Sequence, residues 1–67
     1  MDRSLVHILL KAKAIDKWVP LKYLNHYGIR EVDLLNLEDE GLLLVTNRKS
    51  DGKLLKLTLK GYHHFNK

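Results

Sequence analysis

The sequence contains no cysteine, a single proline and only five aromatic residues among 67. Without cysteine, neither a disulfide framework nor a thiolate zinc site can reinforce so short a chain. Stability has to come from one hydrophobic core of leucine, valine and isoleucine, which sets the expectation of a single small domain, residues 1–67. Most apolar side chains are consumed by that core, leaving little for a deep catalytic pocket. No apolar run approaches the ~20 residues that span a bilayer, and the stretch Leu5–Leu10 is interrupted by His7. The start Met1-Asp2-Arg3-Ser4 lacks a basic segment leading into a cleavable apolar stretch. A secretory leader and a membrane partner are therefore not expected, and a cytoplasmic or nucleoid-associated domain is.

Acidic charge is in the minority overall, with 8 Asp and Glu against 12 Lys and Arg for a net charge of +4. A basic balance of this kind favours an anionic partner such as nucleic acid. The distribution along the chain is uneven. Residues 1–29 carry +3, residues 30–41 carry −4 through Glu31, Asp33, Glu38, Asp39 and Glu40 against Arg30, and residues 42–67 carry +5.

Ser4 precedes an apolar run at helical spacing and is placed to cap a first helix of about residues 4–15. Leu5, Val6, Ile8, Leu9 and Leu10 cover roughly 200° of that helix, wider than the ~100° one core contact needs. The helix is expected to be packed on several sides, or to lend Leu5, Val6 and Leu10 to a homodimer interface. Asp16–Val19 reads as a turn and a short extended piece. Pro20 suits the entry to a second helix, about Leu21–Tyr27, that turns Leu21 and Leu24 inward and stops at Gly28. With Ile29 as a buried anchor, a third helix runs from about Arg30 to Glu40, its acidic start favourable to the helix dipole.

The period then changes from helix to strand. Leu42–Thr46 reads as one strand, Arg48–Gly52 as a turn with the favoured Asp-Gly pair, and Lys53–Thr58 as the return strand. Leu55, Leu57 and Leu59 alternate with Lys56, Thr58 and Lys60, which assigns the leucines to the buried side. Thr58 is placed to cap a short last helix, about Leu59–Phe65.

The punctuation Leu37-Glu38-Asp39-Glu40-Gly41-Leu42, then Asp51-Gly52-Lys53, then Leu57-Thr58-Leu59-Lys60-Gly61 resembles that of winged helix-turn-helix DNA-binding domains, in particular small bacterial and archaeal regulators. The resemblance covers about residues 20–61. It implies an α+β fold of three helices, a two-stranded wing hairpin and a short C-terminal helix. It also implies binding of double-stranded DNA, as a homodimeric transcriptional regulator, through the third helix and the wing. Gly28 to Leu37 spans only nine positions, so the third helix is about one turn shorter than that family usually has, or the turn before it is compressed. The helix is also acidic, which repels phosphate, although its three carboxylates at Glu38–Glu40 lie at the end such proteins keep away from the bases.

Within that frame, Arg48, Lys49, Ser50 and Lys53 at the wing and Lys56 on the return strand are the candidate phosphate contacts. Lys22, Asn25 and His26 of the second helix lie near the groove, and Arg30 and Asn36 are the residues able to read guanine and adenine edges. Arg30 is alternatively an i, i+3 partner of Asp33. The different-class alternative is a protein-interaction module whose acidic third helix docks a basic partner. Catalysis and a cofactor are not expected, since no nucleophile–base pair or phosphate-binding glycine loop is present. The adjacent His63 and His64 point about 100° apart on a helix and complete no metal site.

Overall fold

A computed structural model of the chain describes residues 3–66; Met1, Asp2 and Lys67 lie outside the described residues. The first helix, α1 (Arg3–Ala14), forms where expected from its leucine spacing, and Leu5 and Leu9 on its inner face are buried. Ile8, Leu10 and Ala12 pack half-buried beside them, which accounts for most of the wide apolar arc. The chain then turns through Asp16 into a two-residue strand, β1 (Val19–Pro20).

The second helix departs from expectation in kind. Leu21–Tyr27 is a 3-10 helix, η1, entered at Pro20 and ended by Gly28. Its Tyr, Asn and His residues are modest α-helix formers. At three residues per turn, Leu21, Leu24 and Tyr27 fall in one row, and that row faces the core. The third helix of the sequence reading is α2 (Glu31–Asp39), nine residues long. It ends in a paired closure: Leu42 N–H donates to Leu37 O at 2.9 Å and Gly41 N–H to Glu38 O at 3.0 Å. Gly41 takes φ +74° there, a left-handed value that a side chain would disfavour.

The hairpin joins β2 (Leu43–Arg48) to β3 (Gly52–Leu57), paired antiparallel from Leu43 opposite Leu57 to Arg48 opposite Gly52. β1 adds to the other edge of β3, with Val19 opposite Leu55, so the sheet has three strands in the order β1-β3-β2. The extended piece before Pro20 is thus a sheet strand, one more than the two-stranded hairpin expected. The last helix, α3 (Leu59–Phe65), is capped by Thr58, whose Oγ1 accepts from Gly61 N and donates to Gly41 O at 2.6 Å.

The core lies between α1, η1, α2 and the inner face of the sheet. It is built from Leu5, Leu9, Val19, Leu24, Leu34, Leu43, Leu55 and Leu57. Each fully buried leucine contributes roughly 2 kcal/mol relative to exposure. Ile29 packs against this core half-buried. One alternation expectation fails: Leu59 is not a buried strand residue but the first residue of α3, 65% exposed. Leu54, on the outer face of β3, is buried instead. The fold is α+β, with helices packed on a three-stranded antiparallel sheet. Among the described residues no helix is long and apolar enough to cross a membrane.

Candidate nucleic-acid interface

The hairpin tip is a link of Lys49, Ser50 and Asp51 closed by the Arg48–Gly52 pair. Arg48, Lys49 and Ser50 are exposed there. Ser50 Oγ donates to Asp51 Oδ2 at 3.4 Å, a local contact that leaves the two cations alone. The ion pairs among the described residues involve Arg30, Lys53 and Lys56, not Arg48 or Lys49. The tip therefore presents two cations with no carboxylate partner among the described residues.

Lys53 sits just inside the tip on the core side of β3, and its Nζ reaches Glu31 Oε1 at 3.1 Å. This pair ties the wing to the first turn of α2 across 22 residues of sequence. It also neutralises the helix carboxylate nearest the wing. Asn25 of η1, Glu31 and Lys53 rim a shallow groove of about 250 Å³ with Leu21, Ile29 and Leu34 behind them. The structure thus brings Asn25 and Lys53 together. Lys22 stands one 3-10 turn before Asn25 in the same row, with its Nζ 5.7 Å from the Tyr23 ring centroid. His26 is exposed on the next row with Tyr23.

Arg30, the residue preceding α2, is committed to Asp33. Arg30 Nη2 lies 3.3 Å from Asp33 Oδ1, and Asp33 Oδ2 accepts from the Arg30 backbone N–H at 3.1 Å. The Arg30 side chain first, then its backbone N–H, hold the Asp33 carboxyl below its ordinary value. The i, i+3 pairing was legible in the sequence, and guanine reading by Arg30 would require breaking it.

Asn36 is exposed on the outer stripe of α2, with Val32, Leu35 and Asp39 at i, i+3, i+4 and i+7 spacing around it. Leu34 and Leu37 take the inner face. Val32 and Leu35 are therefore surface residues, 48% and 56% exposed. Both leucine sets fit a helical period, so spacing alone does not tell this stripe from the inner one.

Two assignments need correction. Lys56 lies on the outer face of β3, opposite to Lys53, with only 15% of its side chain exposed. Its ammonium is ion-paired with Asp16 and stands 5.4 Å from the Trp18 ring centroid, so it locks the α1–β1 turn rather than extending the wing surface. The hydrogen bond and charge of Lys56 hold the Asp16 carboxyl below its ordinary value. Leu5 is 0% exposed inside the core and offers nothing to a second chain, whereas Val6 and Leu10 remain half-buried.

Among the described residues no group of three metal-ligating side chains gathers. The sequence matches no protein-family model, and no curated protein matches it significantly.

Proposed function

We propose that the chain is a winged helix-turn-helix domain that binds double-stranded DNA, with the hairpin tip as its principal contact and a role as a small transcriptional regulator. The element order α1-β1-η1-α2-β2-β3 and the sheet order β1-β3-β2 support the fold. A single observation carries the binding reading. Arg48 and Lys49 are exposed at the tip without a carboxylate partner among the described residues, while the two carboxylates in the first turn of α2 are each paired with a cation. The remaining acidity is thus confined to Glu38 and Asp39 at the far end of α2 and Glu40 just beyond it. Lys22, Arg48 and Lys49 neutralise about three phosphates per copy, so the salt slope of binding is about −3 per copy. The test is duplex binding by an Arg48→Ala, Lys49→Ala variant at low salt. Loss of affinity supports the wing contact, and unchanged affinity refutes it.

One observation favours a protein-interaction role as a second reading. A helix meant only for a polar groove has no need of Val32 and Leu35 on its exposed stripe, and together with Asp39 they form a ridge of the kind that docks on a basic, apolar surface. Failure of any duplex to bind at low salt, with the protein folded, transfers the assignment to this reading.

A further inference from the structure

β2 is an edge strand: the sheet order β1-β3-β2 leaves one of its sides without a neighbour. Which backbone groups that side presents follows from the phase of the ladder. Thr58 N–H donates to Leu42 O at 3.0 Å, and these two residues continue the register that sets Leu43 opposite Leu57. Antiparallel residues bond across the ladder in alternate pairs. Leu44, Thr46 and Arg48 therefore turn their N–H and C=O toward β3, and Leu43, Val45 and Asn47 turn theirs outward. The far side of β3 keeps the same phase. Pro20, which has no N–H, stands opposite Leu54. Leu54 turns its own backbone groups to β2, so no bond is forfeited at the proline.

Part of this outward set is open to solvent. Leu43 is buried, whereas Val45 is half-buried and Asn47 is exposed. Among the described residues, the backbone hydrogen bonds made outside helices and strands involve neither Val45 nor Asn47. The edge is also undefended. Its pairing runs from Leu43 to Arg48 without a break, so no bulge twists it away, and it contains neither proline nor lysine. Its side chains change in character along the strand. Leu44, Thr46 and Arg48 share the face turned away from the core. Leu44 is 46% exposed, and Arg48 at the other end is exposed. Lys49 follows as a second cation, and residues 42–50 contain no carboxylate.

We infer that the free edge of β2 accepts an extended acidic peptide as a further antiparallel strand, bonded to the N–H and C=O of Val45 and Asn47. Apolar residues of the peptide lie beside Leu44, and its carboxylates lie beside Arg48 and Lys49. Outward backbone groups call for an extended chain rather than a helix, and cations without a carboxylate partner among the described residues call for acidic side chains. The surface is separate from the α2 ridge, and its partner is opposite in charge to the one that ridge would dock. The inference goes beyond the DNA reading and does not depend on it, since it is measured without nucleic acid.

The probe is a capped synthetic peptide of about six residues, glutamates first and then alternating threonine and valine. It is expected to bind the native chain with a Kd of about 1 mM or tighter. Amide exchange at Val45 and Asn47 should slow on binding, while that at Leu44 and Thr46 stays as it was. Control peptides with lysine in place of glutamate, or methylated on the backbone nitrogens that face β2, should bind at least ~10-fold more weakly. Arg48→Glu with Lys49→Glu should reverse the preference between the glutamate and lysine peptides. Asn47→Pro deletes an outward N–H and no bond to β3, so circular dichroism should report the native fold while the glutamate peptide binds at least ~10-fold more weakly. The methylated peptide poses the same question without altering the chain. Absence of binding to the native chain up to about 5 mM overturns the inference. So does equal binding of the methylated peptide, or protection of the Val45 and Asn47 amides in the chain alone, which would give the edge to a second copy.

Discussion

Lys53 and Glu31 join the hairpin, just inside its tip, to the first turn of α2, Nζ to Oε1 at 3.1 Å. The pair ties the wing to the helix and, on the proposed DNA-binding reading, cancels a carboxylate that would otherwise face phosphate beside the wing cations. Glu31→Gln removes that carboxylate and releases Lys53. Duplex affinity is expected to rise severalfold, while Lys53→Gln, which leaves Glu31 unopposed, lowers it by a similar factor. Both side chains are substantially exposed, so the pair contributes only about 0–1 kcal/mol to stability. Thermal midpoints of the two variants should stay near that of the native chain. Fluorescence anisotropy at low salt and a thermal melt separate the two effects.

The ion pair of Lys56 with Asp16 predicts a specific acid response. Asp16 adopts φ +56°, a left-handed conformation that aspartate tolerates better than most residues. Its carboxyl is held below the ordinary 3.8 chiefly by the hydrogen bond from Lys56, and that of Asp33 chiefly by the Arg30 side chain. A carboxyl whose folded pKa is depressed adds stability that is fully present above its unfolded value and lost as pH falls through the folded one. The melting temperature should therefore fall as pH drops below 3.8, the ordinary value for both groups. Asp16→Asn, which keeps the left-handed tolerance and removes the charge, should flatten part of that fall. Asp33→Asn should flatten another part, and the two effects should add, since the residues belong to different ion pairs.

Gly61 is required by proximity rather than by backbone angle. A Cβ built there lies 2.0 Å from the carbonyl oxygen of Leu42, so α3 could not keep its seat on the α2–β2 turn. Gly61→Ala is expected to cost ~2–3 kcal/mol, lowering the melting temperature by ~10 °C or more in a chain of this size. Thr58→Ala removes both the cap on Gly61 N and the bond to Gly41 O, at about 1–2 kcal/mol. Thr58→Ser should retain most of that stability, which distinguishes the hydroxyl from the methyl group.

What the sequence made legible was local. The leucine period of α1, the closure at Gly41, the Asp51-Gly52 turn and the Thr58 cap each depend on residues within a few positions of one another, and each formed as read. The missed features are decided by distant partners. Val19 becomes a strand only because Leu55 lies beside it, and Lys56 is occupied because the turn after α1 delivers Asp16 to it. Neither pairing leaves a mark in the spacing of residues. The faces of α2 could not be told apart either: Leu34 and Leu37 fit a helical stripe as well as Val32 and Leu35 do, and only the position of the sheet selects between them. Leu59 continued the alternation of the strand, but the Thr58 cap ended that strand one residue earlier. For the candidate interface, the cations of the tip were readable as a hairpin signature, whereas the link from Lys53 to Glu31 needed the folded chain.

The proposed DNA binding requires Arg48 and Lys49 to meet phosphate, and a salt series on a random duplex measures that directly. The logarithm of the binding constant should fall linearly with the logarithm of salt concentration. Replacing both residues by alanine should reduce the magnitude of the slope by about 2 per copy and weaken binding at least ~10-fold at 50 mM salt. Equal affinity and equal slope for the native and doubly substituted chains would contradict it.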